Sequence, residues 1–96
     1  MNRIKVQHKQ HLEQLIEEHI QTNGPACNLN HLDVSDITDM SMLFFDHRFH
    51  GDISRWDVSK VNNMYCMFYQ SDFNGDLSQW NTSGVNLTTH RPKGRR

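Results

Sequence analysis

From about Val6 to Thr22 the apolar residues Leu12, Leu15, Ile16 and Ile20 recur at spacings of three and four. His19 shares their stripe, and Glu13, Glu17 and Glu18 occupy the wet side. That period predicts an amphipathic helix. Gly24-Pro25 ends it, since glycine suits a left-handed C-terminal position and proline cannot continue a helix. Beyond it the pattern changes. Val34, Ile37, Met40, Leu43, Phe44, Phe49, Ile53 and Trp56 form one apolar series. Val58, Val61, Met64, Met67, Phe68, Phe73, Leu77 and Trp80 repeat it 24 residues later, with ten of the 24 aligned positions identical and no gap. The Asp-Val-Ser and Ile-Ser-x-Trp pieces predict short extended segments. Met40–Phe45 and Met64–Tyr69 predict short helical turns, and Gly51 and Gly75 predict turns back towards the strand.

A fixed period of this length predicts copies that pack on their neighbours, with a core that no single copy can bury. Asn28–Leu32 aligns with the closing pieces Asp52–Trp56 and Asp76–Trp80, so a half-copy precedes the first full one. The chain divides into 1–32 (capping helix and half-repeat), 33–56 (repeat 1), 57–80 (repeat 2) and 81–96 (truncated repeat and basic disordered tail). Together these make one folded domain. In the predicted core, Val34, Ile37, Met40, Phe44, Phe49 and Trp56 meet Val58, Val61, Met64, Phe68, Phe73 and Trp80, so that Phe44 lies on Phe68 and Trp56 on Trp80.

The second copy carries Asp57-Val58-Ser59, Val61, Met64, Met67-Phe68 and Phe73-Asn74-Gly75-Asp76-Leu77-Ser78-x-Trp80, and the first follows it closely. This pattern resembles the BspA-like leucine-rich-repeat family, over roughly residues 10–87. The resemblance implies an α/β repeat fold: a short leucine-rich-repeat-like solenoid of two full turns, capped by the N-terminal amphipathic helix. Members of that family are often long surface or secreted proteins, or short proteins of bacterial and mobile-element genomes.

The net charge of -1 hides a segregation. Residues 33–80 hold eight Asp against Arg48, Arg55 and Lys60, whereas Arg91, Lys93, Arg95 and Arg96 crowd the C-terminus. An acidic body suits a basic protein surface. The expected function is non-enzymatic protein binding through positions that differ between copies: Asp36, Asp39, Asp46, His47, Arg48, Arg55, Lys60, Asn63, Gln70, Asp72 and Gln79. Size and family context extend this to a phage or mobile-element inhibitor, anti-CRISPR-like, whose acidic surface blocks the nucleic-acid channel of a host defence protein. The alternative is an adhesin-like surface or secreted interaction protein of the BspA type. Because three copies are usually needed for stability, a homodimer is a second way to complete the core.

Other chemistry adds little. His8 and His11, and His47 and His50, are paired at spacing three, but no third ligand accompanies either pair, and no metal or other cofactor is expected. The recurring Asp33, Asp52, Asp57 and Asp76 fit turns in which Asp bonds nearby backbone N–H groups better than a calcium cage of six to eight oxygens. Cys27 and Cys66 read as free thiols. No nucleophile elbow, phosphate loop or Cys-His signature occurs, and an enzyme is not expected. The basic tail offers weak, salt-sensitive attraction to nucleic acid, which the acidic body opposes. The first residues lack the apolar core of a signal peptide and no stretch is long enough to span a membrane, so the expected location is the cytoplasm of a bacterial or phage-infected host, or outside the cell if a leader was removed.

Overall fold

His8 sets the start of the helix. Its Nδ1 accepts the backbone N–H of His11 at 3.2 Å, which satisfies one of the donors left open at a helix N-terminus. The helix, α1, spans Lys9–Asn23 in the computed structural model, which describes residues 3–85. Leu12, Ile16 and Ile20 are its buried side chains. Gly24 stops it at φ 89°, with its N–H on the Ile20 carbonyl at 2.7 Å. The first residues are extended rather than helical. β1 (Ile4–Lys5) pairs in parallel with β2 (Leu32–Asp33), Ile4 opposite Leu32. Val6 continues the pairing, donating to the Asp33 carbonyl at 3.0 Å with its side chain wholly buried.

The solenoid expected from the repeat is overturned. One helix and two parallel strands of two residues each are the regular elements among the described residues. They form a small globule with a radius of gyration of 12.2 Å. Elsewhere the parallel pairing is reduced to single bridges, Asn28 with Asp52 and Asp39 with Asn63. The reason is local. Side-chain oxygens of Asp33, Asp52, Asp57 and Asp76 take the backbone N–H groups of Ser35, Ser54, Ser59 and Ser78 at 2.9–3.1 Å. Each extended piece is thus folded back into a turn after two or three residues, and no strand ladder can grow.

The helical turns expected over Met40–Phe45 and Met64–Tyr69 do not form either. Met42, Asp46, Cys66 and Gln70 all have φ between 50° and 58°, and such residues interrupt any right-handed helix. Tight turns replace it, closed by Leu43 N–H to Met40 O and Met67 N–H to Met64 O at 3.2 and 3.1 Å. Alternate N–H groups then reach across the copies. Met40, Met42, Phe44 and Asp46 donate to the carbonyls of Asn63, Tyr65, Met67 and Tyr69, each at 2.9 Å.

Like side chains do meet. Phe44 stacks on Phe68 at 5.7 Å and 6°, Phe49 on Phe73 at 6.0 Å and 4°, and Trp56 on Trp80 at 6.4 Å and 9°. All twelve core positions read from the repeat are buried, together with Leu12, Ile16, Ile20, Leu29 and Leu32. Each indole is also satisfied, Trp56 Nε1–H on the Leu29 carbonyl at 2.9 Å and Trp80 Nε1–H on the Ile53 carbonyl at 3.0 Å. Cys27 and Cys66 are free, half-buried thiols. The truncated copy beyond Val85 and the basic tail lie outside the described residues.

Candidate partner-binding surface

The eleven positions that differ between copies do not converge. The structure distributes them over several places with different chemistry.

Asp36 and Lys60 belong to a charge network. Lys5 Nζ lies 2.8 Å from Asp36 Oδ2, and Lys60 Nζ lies 3.0 Å from Oδ1. The hydrogen bond from Lys5, followed by that from Lys60, lowers the Asp36 carboxyl to about 2. Two ammonium groups already serve this carboxylate, so its charge is largely compensated. Asp39 and Asn63 are occupied with turn formation, accepting the N–H groups of Ser41 and Tyr65 at 2.8 and 3.0 Å. Burial pushes Asp39 up, but the Ser41 hydrogen bonds and Lys9 together hold it below its ordinary value.

Arg55 and Gln79 flank a cleft of about 610 Å³, lined also by Ser54, Trp56, Asp57, Val58, Asp76 and Asn81. The backbone N–H of Arg55 is held by Asn30 Oδ1 at 2.8 Å, which orients the loop and leaves the guanidinium exposed.

Asp46, His47, Arg48, Gln70 and Asp72 follow the paired turns. His47 is a structural residue as much as a surface one. Its Nδ1 accepts the Phe49 N–H at 3.1 Å, and its Nε2 lies 2.7 Å from Glu17 Oε2 on α1. Ser71 does the equivalent work in the second copy, its Oγ accepting the Phe73 N–H at 3.0 Å. Asp72 is tied to the same region through its N–H on the His47 carbonyl at 3.1 Å.

Four residues that the repeat pattern did not single out face solvent here. Met42, Phe45, Tyr65 and Tyr69 are 47%, 38%, 50% and 48% exposed. Phe45 and Tyr69 lie in parallel at 5.8 Å and 10°. Phe44-Phe45 and Phe68-Tyr69 held the available signal, because two consecutive aromatics on a tight turn cannot both face one core. Tyrosine is among the residues that dominate binding interfaces, and contiguous exposed apolar side chains mark interaction sites.

The repeated aspartates are ionised as well as folded into turns. Hydrogen bonds from the Ser35 hydroxyl and N–H hold Asp33 below its usual range, and those from Ser59 do the same for Asp57. The Ser54 and Ser78 N–H groups lead the same effect at Asp52 and Asp76. Among the described residues no three His, Cys, Asp or Glu side chains form a metal-sized cluster. No helix there is long and apolar enough to cross a membrane.

A family model described as "Mycoplasma protein of unknown function, DUF285" matches residues 6–91. No curated protein and no solved structure matches the chain.

Proposed function

The chain belongs to the DUF285 family, and from that premise we propose that it is a non-enzymatic protein-binding module with a basic protein as its target. The supporting observation is the charge of the folded body. All eleven Asp and Glu side chains fall within residues 3–85, against Arg3, Lys5, Lys9, Arg48, Arg55 and Lys60, and none of the eleven is buried. Such a surface steers towards positive potential and competes for it with nucleic acid. The most specific form of the reading is an inhibitor of phage or mobile-element origin that occupies the nucleic-acid channel of a host defence protein, in the anti-CRISPR manner. Resemblance to BspA-like proteins, carried by motifs such as Phe73–Trp80, supports a second reading as an adhesin-like surface module.

Immobilised protein exposed to a bacterial lysate separates the two. The first reading expects capture of a basic nucleic-acid-binding protein, released by salt, whose gel-shift activity falls when the free chain is added. Binding only to extracellular matrix or cell-surface ligands, with no salt-released nucleic-acid-binding protein, overturns it in favour of the second.

A further inference from the structure

The most informative unassigned feature is a small cleft between α1 and the turns that follow Met40. It measures about 250 Å³ and is lined by Glu13, Ile16, Glu17, Met42, Leu43, Phe45 and His47. Ile16 and Leu43 are buried and form an apolar floor. Met42 and Phe45 are exposed at its side, and Tyr69 extends the Phe45 ring along the surface. Glu13 is exposed and takes no hydrogen bond or ion pair from the other described residues. Glu17 accepts from His47 Nε2. His47 Nδ1 accepts the Phe49 N–H, so Nε2 is the nitrogen that donates to Glu17. The cleft thus presents two carboxylates beside its apolar floor. Lys9, at the start of α1, is engaged by Ser41 and Asp39.

We propose that this cleft seats an arginine side chain of the basic protein partner, with the guanidinium on Glu13 and Glu17 and its stem and flat face against Met42 and Phe45. The assignment rests on the protein-binding reading above and gives it a place. An apolar floor under paired carboxylates suits a side chain that buries a methylene stem and ends in a charge. The exposed aromatic edge favours guanidinium over ammonium, because arginine stacks on rings and donates in a fork that fits a carboxylate.

Fluorescence anisotropy with labelled hexa-arginine and hexa-lysine peptides at low salt tests it. The wild-type chain is expected to prefer the arginine peptide. Glu13→Gln and Phe45→Ser are each expected to weaken that binding about 3- to 30-fold. Asp76→Asn, in the other cleft, should leave it unchanged. Glu13 has no partner to lose among the described residues, so its variant is expected to keep the fold, which circular dichroism verifies. Undiminished arginine binding by Glu13→Gln, no preference for arginine, or an equal loss in Asp76→Asn overturns the assignment but leaves the acidic-body reading standing. Failure of the wild-type chain to bind either peptide overturns both.

Discussion

Gly51 shows how one missing Cβ can decide a turn. A methyl group there would overlap the carbonyl oxygen of Cys27 and lie 2.8 Å from its carbonyl carbon. Both segments are pinned, by His50 N–H on the Pro25 carbonyl at 2.8 Å and Asp52 N–H on the Cys27 carbonyl at 3.2 Å. The equivalent methyl at Gly75 would meet the Phe73 ring at 2.7 Å, with the nearest backbone atom 3.4 Å away. A ring edge can shift more readily than a pinned carbonyl. Gly51→Ala is expected to cost about 3 kcal/mol and Gly75→Ala about 1 kcal/mol, and equal losses in chemical denaturation would contradict the packing argument. Gln70 offers the reverse case, at φ 56° on an exposed position. A left-handed non-glycine residue costs roughly 1–2 kcal/mol, and glycine gives back part of the gain as chain entropy. Gln70→Gly should therefore stabilise by about 0.5 kcal/mol, and Gln70→Val should destabilise by about 1 kcal/mol, as a branched side chain fits that region poorly. A more stable Gln70→Val protein would remove the basis for reading strain at this turn.

At the scale of elements, α1 is fastened to the chain beside β2 by two histidines. His19 Nδ1 lies 2.7 Å from the Leu15 carbonyl, so it carries the proton and donates. His19 Nε2 is then an acceptor, and His31 Nε2–H donates to it at 2.9 Å. A second proton on this pair would set two N–H groups against each other. Burial first, then His19 and Arg3, lower His31 from its ordinary 6.5. A histidine with a lowered folded-state value binds fewer protons folded than unfolded, so stability rises with pH across that interval. The contribution is complete above pH 6.5 and is lost as pH falls below it. Melting temperature should accordingly drop between neutral pH and about pH 5. In His31→Gln, whose amide can still donate to His19, that dependence should flatten. An unchanged slope in the variant would show that the pair is not its source. The aspartates act in a lower window. Values held below the ordinary 3.8, down to about 2 at Asp36, mean that their contribution is present above 3.8 and is lost as pH falls through the folded-state values.

For the whole molecule, the repeat made the core legible and the architecture illegible. Identical letters at a spacing of 24 locate the stacked Phe44–Phe68 and Trp56–Trp80 pairs, because equivalent apolar positions bury together. The turn role of the recurring Asp residues was legible from their type and is found at all four, but nothing in the period reveals that these turns stop a strand ladder from growing, nor that Met42 and Gln70 adopt left-handed backbone. The pairing of Ile4 with Leu32 was hidden because a strand of two residues has no period to read. The surface was partly legible. Letters that differ between copies are mostly exposed, but His47 and Asn63 differ while serving turns, and the repeat pattern assigns the exposed Phe45–Tyr69 pair to neither core nor surface. A globule of this kind has a consequence that separately stable copies would not. The core runs unbroken from Leu12 and Ile16 on α1 to Trp80 in the second copy, so the two ends should unfold together. Trp56→Phe leaves Trp80 as the sole indole and removes one of two hydrogen bonds on the Leu29 carbonyl, which keeps the Leu32 N–H at 3.1 Å, and should destabilise by about 1 kcal/mol. In that variant, far-UV circular dichroism reports α1 and fluorescence reports the surroundings of Trp80. Their denaturation midpoints should coincide. If the fluorescence change precedes loss of the helix, the second copy unfolds on its own and the molecule is two cooperative units rather than one.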